Sequence, residues 1–408
     1  MNNKKCRVSN QPLELIADFG KQPLGNGFLS ESSFSSEYFF DMQVGFCDES
    51  KMFQLIEQPS PEIMFHDNYA FYSSTSSHMQ DHFRKFYESV ASSSNFSQDS
   101  LVVELGCNDG ILLKNFQKNG VPNVGIEPSA NVAKEAEKLG IKTIQEFFTE
   151  ETVSKIIKDH GKAEFFLSAN VMCHIPDIKS VAKNIKNLLS DTGKLIFEDP
   201  YLGDIIEKTS YDQIYDEHVF LFSAHSVRHL FGLYDMELID LLPQETHGGS
   251  MRYVLAHRNA YEISDSVKKI IDKEKKQGLD SFEKLKYFDD NCKKSKKNLL
   301  EILNRIKEEN KKVIGYAATS KSTTILNYCG IGEDLISSIC DTTPIKIGQK
   351  SPGMHIPIVA MNDFHNGQYE YSFLFAWNHI KEIMLKEEAF TLKNNRQWIT
   401  HIPDVKIL

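Results

Sequence analysis

Long apolar runs are missing from this chain of 408 residues: none approaches the ~18 consecutive apolar residues of a membrane span, and the polar start Met1-Asn2-Asn3-Lys4-Lys5-Cys6-Arg7 has no apolar h-region. Neither membrane insertion nor secretion is expected. Positive charge is short as well. With 46 basic against 56 acidic residues and a formal net charge of -10, the composition excludes a surface that holds nucleic acid by neutralising phosphates. Paired cysteines are lacking too. The seven present, Cys6, Cys47, Cys107, Cys173, Cys292, Cys329 and Cys340, are odd in number and scattered, so they read as reduced thiols of a cytoplasmic chain and not as a disulfide framework. No internal repeat recurs at a fixed period. What is there, 41% hydrophobic residues, is enough to fill the cores of two or three ordinary domains.

Four segments can be told apart. Residues 1–77 form a small loop-rich unit of brief apolar runs punctuated by Gly20, Pro23, Gly25, Gly27, Gly45 and Pro59. Residues 78–260 open with a helix over His78–Val90, on which Met79, Phe83, Phe86 and Val90 recur at helical spacing. Strand-length runs then alternate with helical stretches: Leu101–Leu105, Val124–Glu127, Phe165–Ala169 and Lys194–Glu198. That alternation predicts a parallel sheet with crossover helices. Glu237–Leu242 and Met251–Ala256 are joined by too short a turn for a crossover, so they should pair antiparallel. Residues 261–311 read as a helical connector whose run Lys293-Lys294-Ser295-Lys296-Lys297 is a solvated helix face. Residues 312–408, with runs at Val313–Ala317, Leu335–Cys340 and Tyr371–Ala376, form a second, smaller α/β unit.

The most informative segment is Val102-Val103-Glu104-Leu105-Gly106-Cys107-Asn108-Asp109-Gly110. A buried strand ends in a glycine turn and enters a helix, which places a ligand above the sheet's carboxyl edge. A dinucleotide site would read G-x-G-x-x-G; here Asn108 and Asp109 sit inside the turn, and an acidic loop repels a pyrophosphate. It suits a cationic cofactor, with Glu104 placed to receive an ammonium group. About twenty residues on, Glu127 ends the second strand, where a carboxylate can accept both ribose hydroxyls. Phe147 lies where a loop flanking adenine is expected, and Asn170 follows the fourth strand. Together these residues describe a site for S-adenosylmethionine.

The donor loop does not name the acceptor, and the ionisable groups beyond it carry more of that information. His174 lies just past the fourth strand; taken alone it reads equally as a structural histidine, and so does His247 beside Gly248-Gly249. Tyr215-Asp216-Glu217-His218 is different, because a tyrosine, two carboxylates and a histidine within four positions exceed what a structural loop needs. Imidazole beside a carboxylate can act as a general base near neutral pH, which fits His218 with Glu217.

At these residues the chain resembles the sugar C-methyltransferases of deoxysugar biosynthesis, which use S-adenosylmethionine to methylate a nucleotide-linked 4-keto-deoxysugar. The resemblance runs over nearly the whole chain, through Val103–Gly110, Glu127-Pro128-Ser129, Asn170–Asp177, Tyr215–His218, His247–Tyr253, Gly315–Ala318, Leu326–Gly330 and Pro352–Ile358. It implies a class I methyltransferase (Rossmann-like) core with an antiparallel terminal hairpin, a small N-terminal zinc-ribbon-like unit and a second, C-terminal Rossmann-like domain that helps hold the nucleotide-sugar. It also implies that His218 is the base, with Tyr69, His174, Tyr215 and Glu217 around the reacting sugar, and it adds His247 and Arg252 to the substrate side. A monomer with no nucleic-acid or membrane partner is expected. The alternatives are an oxygen or nitrogen methyltransferase sharing the donor site, and a nucleotide-sugar-binding protein without turnover.

Two departures stand out. The family holds a zinc ion with two C-x-x-C pairs, but here these read Cys6-Arg7-Val8-Ser9 and Cys47-Asp48-Glu49-Ser50. Each has lost a thiolate to serine, and hydroxyls are poor zinc ligands, so no structural metal is expected. Gly315-Tyr316-Ala317-Ala318-Thr319-Ser320-Lys321-Ser322 differs from a phosphate-binding P-loop only at its second glycine. No magnesium-binding strand accompanies it, so the turn is expected to receive the substrate's diphosphate, with Lys321 as a point charge.

Overall fold

The computed structural model describes residues 4–64, 73–92, 96–97, 100–392 and 396–408. In the N-terminal unit, β1 (Glu14–Pro23), β2 (Phe39–Cys47) and β3 (Met52–Leu55) form an antiparallel meander. Its inward residues, among them Ile16, Phe19, Val44, Phe46 and Phe53, are buried.

The central sheet comprises β4 (Val102–Leu105), β5 (Asn123–Ile126), β6 (Lys142–Ile144), β7 (Ala163–Ala169) and β8 (Leu189–Pro200). After the two-residue β9 (Phe220–Leu221), it is completed by β10 (Met236–Gln244) and β11 (Ser250–His257). Strand order is β6-β5-β4-β7-β8-β11-β10. The first five run parallel, while β11 is antiparallel to both β8 and β10, as the short hairpin requires. Every residue of β4 is buried, as expected of a strand covered by helices on both faces. The chain winds outward from β4 in one direction and from β7 in the other, so a crevice opens at the carboxyl ends of those two strands.

β9 belongs to neither hairpin nor core. It pairs with β3 and so adds a fourth strand to the N-terminal sheet, two residues after His218.

Helices Asp265–Gln277, Phe282–Leu285 and Tyr287–Glu308 lead to the last unit; the first stops at Gly278, whose φ of 75° is left-handed. The lysine run sits on the third, where Lys293 pairs with Asp289 and Lys297 with Glu301 on its exposed side. The C-terminal sheet contains β12 (Val313–Tyr316), β13 (Ile339–Asp341), β14 (Ile358–Ala360), β15 (Tyr371–Leu374), β16 (Gln397–Thr400) and β17 (Lys406–Ile407). Its order β14-β13-β12-β15-β16-β17 is Rossmann-like, with only β17 antiparallel. One hydrophobic core runs through all three units: Phe19 lies 5.1 Å from Tyr328 and 6.3 Å from Tyr211, ring centre to ring centre.

Candidate active site

The cofactor edge is built by the turn after β4. Gly106 (φ 69°), Asn108 (φ 49°) and Gly110 (φ 80°) are all left-handed, and a Cβ on Gly106 would fall 2.3 Å from Val171 Cγ2, so only glycine serves there. Glu104 is buried beside Asp109 and Glu127; burial first, then those two charges, push its carboxyl well above the usual range. Among the described residues, Glu104 Oε2, Asp109 Oδ1 and Asn170 Oδ1 are buried without a hydrogen-bond partner. Glu127 accepts from the Ser129 N–H at 2.9 Å and from the Asn108 N–H at 3.1 Å. The N–H groups of Ser73 and Ser74 donate to Asn108 Oδ1 (3.1 Å) and Asp109 Oδ2 (2.9 Å), which docks the segment before helix Ser77–Ser92 against the turn. Phe147 is 49% exposed beyond β6. Buried acceptors converging at one strand edge favour a ligand that brings positive charge and donors, and S-adenosylmethionine brings both through its sulfonium and ammonium groups.

Next to this edge, His218 Nδ1 lies 2.7 Å from the Gln213 carbonyl, which can only accept, so Nδ1 carries the proton. Nε2 is therefore the lone-pair nitrogen, and it accepts from the Tyr215 hydroxyl at 2.7 Å. Burial, then the neighbouring His174, hold His218 well below its ordinary range, so the ring is neutral. The His174 ring stacks on it at 5.3 Å, and burial lowers His174 to about 4. Ligand atoms of Cys173, His174 and His218 lie within 4.8 Å of one another. Both His218 nitrogens in this trio are already engaged, by the Gln213 carbonyl and the Tyr215 hydroxyl. Glu217 is buried and accepts from Asn26 Nδ2 at 2.8 Å. Tyr69 lies outside the described residues.

The substrate-side residues divide. His247 is held in a left-handed turn (φ 54°), and burial followed by Lys321 lowers it to about 3. Lys321, in the first turn of helix Ser320–Cys329, is close enough to act electrostatically on His218, His247 and His379. Two N–H groups at that helix start are taken by its own Thr319 and Ser322 side chains. Arg252 faces inward instead: Nε and Nη2 donate to Glu198 Oε2 at 3.1 and 2.8 Å, and the guanidinium covers the Phe86 ring at 3.7 Å. Burial pushes Glu198 up, but His82 and Arg252 outweigh it and hold the carboxyl at about 2.

Sequence reasoning assigned no role to several residues at this centre. Asp199 accepts from the Cys173 N–H at 3.1 Å and is pushed up to about 8 by burial. Asp216 reaches about 8 through burial and Glu217, and it accepts from the Gly25 N–H at 2.9 Å. Lys346 packs over Phe28 at 4.7 Å within electrostatic reach of Glu217. Trp377 Nε1 donates to Asp212 Oδ2 at 2.6 Å. Chemical density in Tyr215–His218 was the one local signal; the partners come from distant segments.

In the N-terminal unit the four knuckle positions do come together. Cys6 Sγ lies 3.2 Å from Ser50 Oγ, and Cys47 Sγ lies 3.2 Å from Ser9 Oγ. A hydrogen bond between the two sulfurs, with burial, pushes Cys6 up, and the same bond holds Cys47 down at about 4, so the pair shares one proton. One thiolate, one thiol and two hydroxyls are a poor fit to a tetrahedral zinc, which takes thiolate, imidazole or carboxylate ligands.

The strand order, the glycine turn and the acidic acceptors define a class I S-adenosylmethionine-dependent methyltransferase. Family models agree along the chain: residues 77–241 match "Methyltransferase domain", 245–403 match "C-methyltransferase C-terminal domain" and 6–65 match "Putative zinc binding domain". C-methyltransferase NovU of Streptomyces niveus is 30% identical over 407 residues, 99% of this chain and 96% of NovU. The chain belongs to this C-methyltransferase family. Among solved structures, the magnesium protoporphyrin IX methyltransferase of Synechocystis PCC 6803 with bound S-adenosylmethionine is 13% identical, covering 44% of this chain and 79% of its own, with a TM-score of 0.34. An S-adenosylmethionine-dependent methyltransferase from Anabaena variabilis is 14% identical, covering 50% and 98%, with a TM-score of 0.35. No helix among the described residues is long and apolar enough to cross a membrane.

Proposed function

We propose that this C-methyltransferase acts on a nucleotide-diphosphate-linked 4-keto-deoxysugar, methylating the carbon beside the ketone, C3, through an enolate. The observation that carries the reading is the His218 tautomer: a neutral, buried imidazole whose Nε2 lone pair faces a tyrosine hydroxyl. Carbon is not nucleophilic until it loses a proton, and a proton beside a ketone is acidic because the oxygen takes the charge. His218 Nε2 removes that proton and becomes an imidazolium whose Nδ1–H stays on the Gln213 carbonyl. The Tyr215 hydroxyl, which must turn from Nε2 toward the ketone oxygen for that lone pair to take the proton, or His174 donates to the enolate oxygen. Glu217, one residue away, supports the positive charge on the ring.

S-adenosylmethionine, when bound, supplies an electrophilic methyl group. Glu104 would meet its ammonium and Glu127 its ribose, with Gly106, Asn108, Gly110, Phe147 and Asn170 around it. Tyr69 is assigned to the sugar on the resemblance alone. His247 and Lys321 would line the sugar and diphosphate, and Arg252 is reassigned to holding Glu198.

Mass spectrometry of the purified protein with S-adenosylmethionine and a panel of deoxythymidine-, guanosine- and cytidine-diphosphate 4-ketosugars tests the substrate class; a gain of one methylene unit is expected on one of them. In deuterated water the C3 proton should exchange with solvent. Methyl transfer without exchange would sink the enolate route, and transfer to oxygen would sink the carbon assignment.

A further inference from the structure

The turn after β1, Leu24-Gly25-Asn26-Gly27, touches all three units. From the N-terminal unit, the Gly25 N–H donates to Asp216 Oδ1 at 2.9 Å, and Asn26 Nδ2 donates to Glu217 Oε1 at 2.8 Å. From the other side, Thr323 Oγ1 of helix Ser320–Cys329 donates to the Gly25 carbonyl at 2.8 Å. The fit is close: a Cβ on Gly25 would lie 2.8 Å from Asp216 Oδ1 and 3.0 Å from Ser320 Cβ. Neither Asp216 nor Glu217 is more than 5% exposed. The backbone these carboxylates anchor is the one that aims the base. The His218 N–H donates to the Tyr215 carbonyl at 3.0 Å, and the Val219 N–H donates to the Glu217 carbonyl at 3.1 Å. A shift of the Glu217 side chain therefore turns the peptide that carries His218.

We propose that Asn26 is a positioning residue for the methyl-transfer reaction, acting through Glu217 to hold His218 in its catalytic orientation. The proposal rests on the reading of His218 as the base. It assigns the N-terminal unit a part in the active site that does not depend on a metal: its turn supplies the amide that a carboxylate-bearing loop needs. An amide fits this place because it donates to a carboxylate without adding charge to a buried cluster that already holds Asp216 and Glu217.

The test uses the full chain and whichever nucleotide-diphosphate 4-ketosugar of the panel the wild type methylates. Losing a hydrogen bond to a charged group should lower kcat about tenfold in Asn26→Ala. The rate of C3 proton exchange should fall in parallel, while the affinity for S-adenosylmethionine stays at the wild-type value and the variant, though its melting temperature drops by a few degrees, remains folded at the assay temperature. Asn26→Asp, which sets a third carboxylate against Glu217, should fall further. If Asn26 works through Glu217, Asn26→Ala should add little to Glu217→Gln in a double-mutant cycle. Wild-type kcat in Asn26→Ala, or additive losses in the double variant, overturn the proposal and leave the sugar reading intact. A wild type that neither exchanges nor methylates any ketosugar removes that reading, and the proposal with it.

Discussion

At His218, the proposed base, the tautomer is decided by a carbonyl that cannot donate. Because Gln213 O fixes the proton on Nδ1, the opposite nitrogen is a base at every pH where the ring is neutral. Burial, His174, Lys321 and His247 all hold the imidazole below its ordinary 6.5, and only the Gln213 hydrogen bond works against them. The base form is lost as pH falls through that lowered pKa, so kcat/KM should stay flat from pH 7 down through 6 and decline only in more acid solution. A pH–rate profile checks this, and an acid limb at or above 6.5 would contradict it. His218→Ala should cost on the order of 10²–10⁴ in kcat. Arg252 makes the opposite case. Its resemblance-based assignment was to substrate, yet it faces Glu198, with 5% and 1% of the two side chains exposed. Arg252→Ala should therefore lower stability by about 3 kcal/mol, because the buried carboxylate loses both donors on Oε2 and keeps His82 and Thr246 on Oε1. Chemical denaturation measures that loss, and unchanged stability with a raised sugar KM would return Arg252 to the substrate.

Among the elements, legibility followed burial. The runs Leu101–Leu105, Val124–Glu127, Phe165–Ala169 and Lys194–Glu198 could be read because strand centres covered on both faces are largely apolar, whereas the polar start of β8, from Leu189 to Gly193, could not. β6 is one exposed and two half-buried residues, and β9 is the dipeptide Phe220–Leu221, too short to carry any period. β9 nonetheless sets the geometry, since it ties the N-terminal sheet to the loop holding His218. The knuckle is the support of that sheet. Cys6 meets Ser50 and Ser9 meets Cys47 in hydrogen bonds where a zinc knuckle has four thiolates, so the purified protein should carry well under one zinc per chain and keep its melting temperature in chelator. Because the four positions already lie together, Ser9→Cys with Ser50→Cys should gain one zinc per chain and a chelator-sensitive melting temperature. Elemental analysis decides both, and stoichiometric zinc in the wild type would overturn the hydrogen-bonded reading.

In the whole molecule, the candidate active site lies where the three units meet, and this was the least legible feature, because contacts between residues 191 positions apart leave no local pattern. The sequence singled out Lys321 through its resemblance to a phosphate loop, but not the surface that receives it. Trp377 packs against the Gly248 turn, where an added Cβ would lie 2.0 Å from its ring, and its Nε1–H reaches Asp212 in the segment leading to His218. The C-terminal unit thereby holds Lys321 over the methyltransferase core, next to His247 and near His218. Burial pulls the Lys321 pKa down while Asp212 pulls it up, so this ammonium is poorly solvated and gains from a phosphate arriving beside it. Lys321→Ala should therefore raise the KM for the nucleotide-sugar by about tenfold or more, with kcat changed far less and S-adenosylmethionine affinity unchanged. Added salt should weaken sugar binding in the wild type more than in the variant, because only the wild type keeps the ion pair that salt screens. Steady-state kinetics at two ionic strengths measures both effects, and a variant with wild-type KM would show that the diphosphate is held elsewhere.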